Sequence, residues 1–422
     1  MLAWQRALLV LILALVPAST SAQTVTYRGF VDARGAAYPR DARNDPRNFV
    51  ADVLARGELF ARPLPWLRLA GGLDARANSH EQVEGSWRVD MGDRGTLRPR
   101  LSIRRLTATL NRGPLTVDVG KQFIRWGKAD ILTPTDRFAP RDYINVIDPD
   151  FLAVRAVRAV VARGSQSFDA VWVPLFTPSR LPLLNQRWTP TPPEIEVVAR
   201  PDDRDALPDR SQVGIRWARA GGGYEHSLSF YDGLNHLPNV DQRSFPLPTL
   251  TTPSVVGPIV IEIARRYPTL RMYGGDVALA THWFTAKGEI AYVTTSTPST
   301  DEYVLYVVQL ERQMGEWVFV GGYAGEIITE PSGAATFAPD RGAARTVLGR
   351  ASYTIDVNRS AALEGAVRED GRGLYLKGEY SQARGRHWRA TVTGALIRGE
   401  PDDFLGQYRL NSHVTLGLRY SF

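Results

Sequence analysis

The chain contains no cysteine, so an exported form has no disulfide scaffold and must be held by its sheet. Long apolar runs are missing too. The longest, Ala7 to Val16, is ten residues, half of the roughly 20 a helix needs to cross a bilayer. If the protein spans a membrane, it does so with strands. Lysine stands only at Lys121, Lys128, Lys287 and Lys377, which leaves 47 of the 51 basic residues as arginine. The formal charge is +7, but no arginine-rich tail, zinc spacing or RNA-binding aromatic motif accompanies it. Nucleic acid is therefore not an expected partner. No cofactor and no metal site is expected.

The first 22 residues have the order of a secretory signal: Arg6, the apolar run, then Pro17 and the small residues Ala18 to Ala22. The expected mature chain, residues 23–422, is a single domain. Along it, polar and apolar residues alternate in segments of about ten, the pattern of strands with one lipid face and one lumen face. In Phe49 to Arg62, Asp52, Arg56, Glu58 and Arg62 share one parity and Phe49, Val53 and Leu59 the other. Eighteen such segments are predicted, from Thr24 to Arg34 through Asn411 to Phe422, with 16 to 18 plausible. Arg104 and Arg105 interrupt one of them, and the parity switches there as at a β-bulge. Val255 to Arg266 is a further strand candidate, assigned to a long loop.

Short turns follow the even strands. Longer connections follow most odd ones, the longest near Lys128 to Asp150, Thr177 to Arg210 and Leu234 to Thr269. This segregation fits an antiparallel transmembrane barrel with short periplasmic turns and long extracellular loops. Trp66, Trp126, Trp217, Trp283, Trp317, Tyr353, Trp388 and Tyr420 fall near predicted strand ends, where amphipathic rings favour a membrane interface. The last segment resembles the terminal strand of bacterial outer-membrane barrels. That resemblance makes Tyr420 and Phe422 part of an assembly signal, with outer-membrane lipids and the barrel assembly machinery as partners. The segment should pair with Trp388 to Arg398 and with Thr24 to Arg34.

A barrel this wide leaves an aqueous lumen. Parity places Arg56, Arg68, Arg98, Arg100, Arg158, Arg216, Arg350, Arg389 and Arg419 on its inner face, among acids that include Asp74, Asp276 and Glu289. The cationic excess suggests a pore for anionic solutes; the alternative is that these charges pair and stiffen the wall. The stretch Gly120 to Asp150, GKQFIRWGKADILTPTDRFAPRDYINVIDPD, leaves its strand at Gly127 and repeats Pro-x-Asp. Turn chemistry accounts for much of that pattern. A sharper reading makes it a constriction loop facing an arginine-rich wall, with Lys128, Asp130, Asp136, Arg137, Arg141 and Asp142 lining it. A calcium loop would need closely spaced oxygen ligands and a glycine that the stretch lacks.

GKQFIRWGKAD followed by PRDY resembles the G-[KR]-Q-x-x-x-W-G-K motif of a family of poorly characterised bacterial outer-membrane porin-like barrels. Part of that family is known as a domain of unknown function, and it is distantly akin to alginate-export channels. The resemblance implies an outer-membrane channel, monomeric or trimeric, and raises an anionic polysaccharide as a candidate solute. A hydrophobic-solute transporter, which would need an apolar lumen patch, and an export-complex barrel are alternatives. An outer-membrane enzyme is a weaker reading, because the six histidines sit apart with no helper motif.

Overall fold

A computed structural model describes residues 24–42, 44–130, 132–184, 186–189, 197–201, 207–244, 259–332 and 338–422. The expected signal segment lies outside them. The first six barrel strands are β1 Thr24–Ala37, β2 Phe49–Leu64, β3 Leu67–Asn78, β4 Leu101–Arg112, β5 Leu115–Gln122 and β6 Val154–Arg163. Then come β7 Gln166–Val173, β8 Gln212–Gly221, β9 Tyr224–Leu234, β10 Thr269–Ala280, β11 Thr285–Thr294 and β12 Glu302–Met314. The last six are β13 Trp317–Glu330, β14 Thr346–Asp356, β15 Arg359–Arg368, β16 Gly373–Arg384, β17 Trp388–Gly399 and β18 His413–Ser421. Each strand pairs antiparallel with the next, and β18 pairs with β1, so eighteen strands close on themselves. Closure leaves no free sheet edge.

The outer face carries the apolar parity. Ile215, Leu228, Val308, Leu363 and Leu416 are each at least half exposed. A continuous belt of such residues is not tolerated in water, and a closed ring satisfies every strand's backbone in lipid. The chain is thus a transmembrane β-barrel. Trp317 meets Tyr353 at 4.6 Å, and Trp388 meets Tyr420 at 4.9 Å. These rings lie at the short-turn rim with Trp66 and Trp283. Trp126 does not join them. It is buried inside the barrel, because β5 ends at Gln122 rather than Trp126.

At the seam, Phe422 and Gly29 exchange two backbone hydrogen bonds of 3.0 Å. The Phe422 ring occupies the space a side chain at position 29 would need. In β4 the register slips so that Gly72 faces Arg105 and Leu73 faces Ile103, leaving Arg104 as the extra residue of the bulge. β4 starts at Leu101, so Arg98 and Arg100 lie in the preceding loop, not on a wall strand as expected. Ile259–Arg266 pairs with Asn239–Ser244 and Val197–Pro201 in a small separate sheet built from two long loops.

Candidate functional site

Residues 123–130 and 132–153 pack against the inner wall, and the motif residues explain how. Gly120 has φ +120°, and a Cβ there would come within 2.1 Å of Leu106 O. The chain can turn off the β5 alternation only with glycine here. Lys121 Nζ then reaches Asp93 at 2.6 Å, and Gln122 Nε2 donates to Ala156 O at 3.1 Å. Trp126 Nε1 donates to Asp169 at 3.0 Å while its ring meets Phe138 edge-on at 5.1 Å. Phe138 in turn meets Tyr231 edge-on at 4.9 Å. Ile124, Trp126 and Phe138 thereby share one buried apolar cluster with Val171, Met272, Val293 and Leu305, all pointing inward from wall strands.

Polar anchors complete the seat. Glu289 on β11 accepts from Lys128 N at 3.0 Å, Ala129 N at 3.2 Å, and both Thr135 N and Thr135 Oγ1 at 2.8 Å. Asp136 accepts from the backbone of Trp126 and Gly127 at 2.6 and 2.7 Å. Asp130 takes Lys287 at 2.7 Å and Gln309 at 2.5 Å. Lys128 meets Glu225 and lies 3.5 Å from Asp276. Arg137 lies 3.3 Å from Asp340, and Arg141 Nη2 donates to Thr133 Oγ1 at 3.2 Å.

Asp142 is the most heavily clamped. Arg98 grips both its oxygens at 2.8 and 3.1 Å, and Arg180 reaches it at 3.2 Å while holding Asp93 at 2.8 Å. Burial would raise this carboxyl, but the two guanidinium groups hold it well below its ordinary range. His236, just past β9, places Nδ1 2.6 Å from Thr177 O and Nε2 2.9 Å from Arg137 O. Burial pushes its imidazole down to about 4, with the two carbonyls pulling the other way.

The expected arginine wall therefore meets few of the segment's acids: Arg76 on β3 lies 3.6 Å from Asp150, but Asp130, Asp136 and Asp142 find other partners. Asp130 meets a lysine and a glutamine, Asp136 serves the segment's own backbone, and the partners of Asp142 come from neighbouring loops. The wall beneath presents Glu289. No cluster of three or more metal-ligating side chains occurs among the described residues. Asp93, Arg180, Asp340 and His236 escaped the sequence reading because loop residues carry no parity.

The other arginines divide in two. Arg56 forks onto Asp74 at 2.7 and 2.8 Å, Arg158 onto Asp169 at 2.6 to 3.0 Å, and Arg216 holds Asp276 at 2.9 Å. Arg419 donates through Nε to Asp32 at 2.9 Å. By contrast Arg350 and Arg389 bond only the hydroxyls of Ser352 and Ser381, both at 3.2 Å. Arg100 donates to Glu84 O and lies over the Trp87 ring. Arg68 and Arg105 have no carboxylate partner among the described residues. Two cavities of about 480 Å³ remain: one between the inward segment and β12 to β16, the other on the β2 to β6 wall.

A closed eighteen-stranded barrel with an inward-seated segment and charged side chains on its inner face defines a membrane-barrel protein. No family model and no curated protein matches the sequence. Among solved structures, a loop L8 deletion mutant of OmpT, an outer membrane protein of Vibrio cholerae, is similar at 10% identity. The match covers 95% of this chain and all of that one, with a TM-score of 0.42. A mutant of the Rh. blastica porin is similar at 9% identity over 94% of this chain and all of its own, with a TM-score of 0.45.

Proposed function

We propose that the protein is a passive outer-membrane channel of porin type that favours small anionic solutes. The observation that carries this reading is the imbalance of spent and unspent charge inside the barrel. Most inward carboxylates are engaged: Asp74, Asp169 and Asp276 by arginine and Glu289 by backbone and hydroxyl donors. Arg68, Arg105, Arg350 and Arg389 keep guanidinium groups without a carboxylate partner among the described residues. An aqueous passage lined this way concentrates anions. In a salt gradient across a planar bilayer, the purified protein should show an anion-selective reversal potential; a cation-selective one rejects the reading. Deleting residues 133–143 should raise single-channel conductance, and an unchanged value would mean that the segment does not constrict.

A second reading has its own support. Val318, Val320, Leu348, Ala366, Val146 and Ile147 all line the cavity beside the inward segment. Such an apolar flank suits a solute with an uncharged body, and saturable uptake of a neutral amphipathic solute would favour it over simple anion flow.

A further inference from the structure

The β2 to β6 wall carries a feature that pore lining alone does not explain. Ala61 faces Leu69 across the β2–β3 hairpin, and the pairing resumes only at Leu64 and Leu67. Arg62 and Arg68, on either side of this lapse, both line the same cavity, and like charges gathered there cost stability. Arg62 spends one nitrogen on Pro65 O at 2.9 Å, and Arg68 spends none on a described acid. The bulge in β4 turns both Arg104 and Arg105 inward against the Phe123 ring, at 4.8 and 5.7 Å. The single carboxylate lining this cavity, Asp118, already accepts from Thr109 Oγ1 at 2.5 Å. Between the arginines the wall is low: Ala70 pairs with Thr107, and Gly72 with Arg105.

We infer that this cavity is a binding cradle for a small oxyanion, a carboxylate or a phosphate, held by Arg62, Arg68 and Arg105. The planar guanidinium fork matches two oxygens of either group, and the bound charge offsets the repulsion between neighbouring arginines. The Phe123 ring beneath the Arg105 guanidinium gives it one contact before the ligand arrives. The cradle deepens the channel reading and rests on it for how a solute reaches the site.

Calorimetric titration of the full-length barrel in detergent at low salt tests binding without relying on conduction. Inorganic phosphate and acetate serve as separate probes. At least one should bind saturably at one site per chain. Arg68→Gln/Arg105→Gln should weaken that binding by at least about tenfold, the scale of a lost charge-assisted hydrogen bond. Arg359→Gln, which removes a charge at a distant turn, should change it less than about twofold. Arg68→Lys, which keeps the charge and loses the fork, should fall between them; it is the informative variant if the double substitution does not fold. Saturation by neither probe, or equal affinity in wild type and Arg68→Lys, overturns the cradle. Saturable binding beside a cation-selective reversal potential keeps the cradle and rejects the anion-channel reading.

Discussion

Asp142 shows how strongly one side chain can tie a loop. It is buried between Arg98 and Arg180, and replacing it with alanine leaves Arg98 without its carboxylate and Arg180 with Asp93 alone. Breaking a buried ion pair from one side costs roughly 3–5 kcal/mol. Asp142→Ala should therefore make single-channel current markedly noisier while the barrel still folds; quiet current like that of wild type would show that the clamp holds nothing. Acid should act in two separable windows. The folded carboxyl of Asp142 lies below its ordinary 3.8, so its stabilisation is complete above that value and fades only below it. His236 is pushed down to about 4 from 6.5, so the unfolded chain takes up a proton first and stability falls between those values. Thermal unfolding followed against pH should decline from 6.5 to 4, and His236→Gln should flatten that window while leaving the one below 3.8.

At the scale of elements, the strands were legible because the two faces of a barrel wall meet different solvents. That contrast imprints a period of two on every strand, and even the bulge at Arg104 was visible as a change of parity. Strand ends were less legible. β5 stops at Gln122, four residues short of Trp126, because Gly120 lets the backbone leave the sheet for a buried cluster that no period announces. Asp130, Asp136 and Asp142 do not meet the expected arginine wall for a related reason. Parity reports which side of a sheet a residue occupies and is silent about loops, where Arg98, Arg180 and Asp93 are found. The motif residues Gly120, Lys121, Gln122, Trp126, Gly127 and Lys128 each acquire a packing or hydrogen-bonding role that seats the segment.

For the molecule as a whole, the seam between β1 and β18 decides whether there is a barrel. The Phe422 ring lies against Gly29, and the two residues exchange backbone hydrogen bonds. Phe422→Ala removes the ring and leaves those bonds, so the yield of folded barrel should drop while each barrel that forms conducts normally. Normal yield with altered conductance would assign the ring to the pore.

The pairing across that seam has a consequence for time. Asp32 and Arg419, which bond across it, are 387 residues apart in sequence. Contacts so distant form late, because the loop-closure entropy must be met before they can contribute. Until then both outer strands expose unpaired backbone and lipid-facing apolar rows, the features that drive edge-to-edge aggregation. The slowest step in making this protein should therefore be its last, the moment at which these two rows meet.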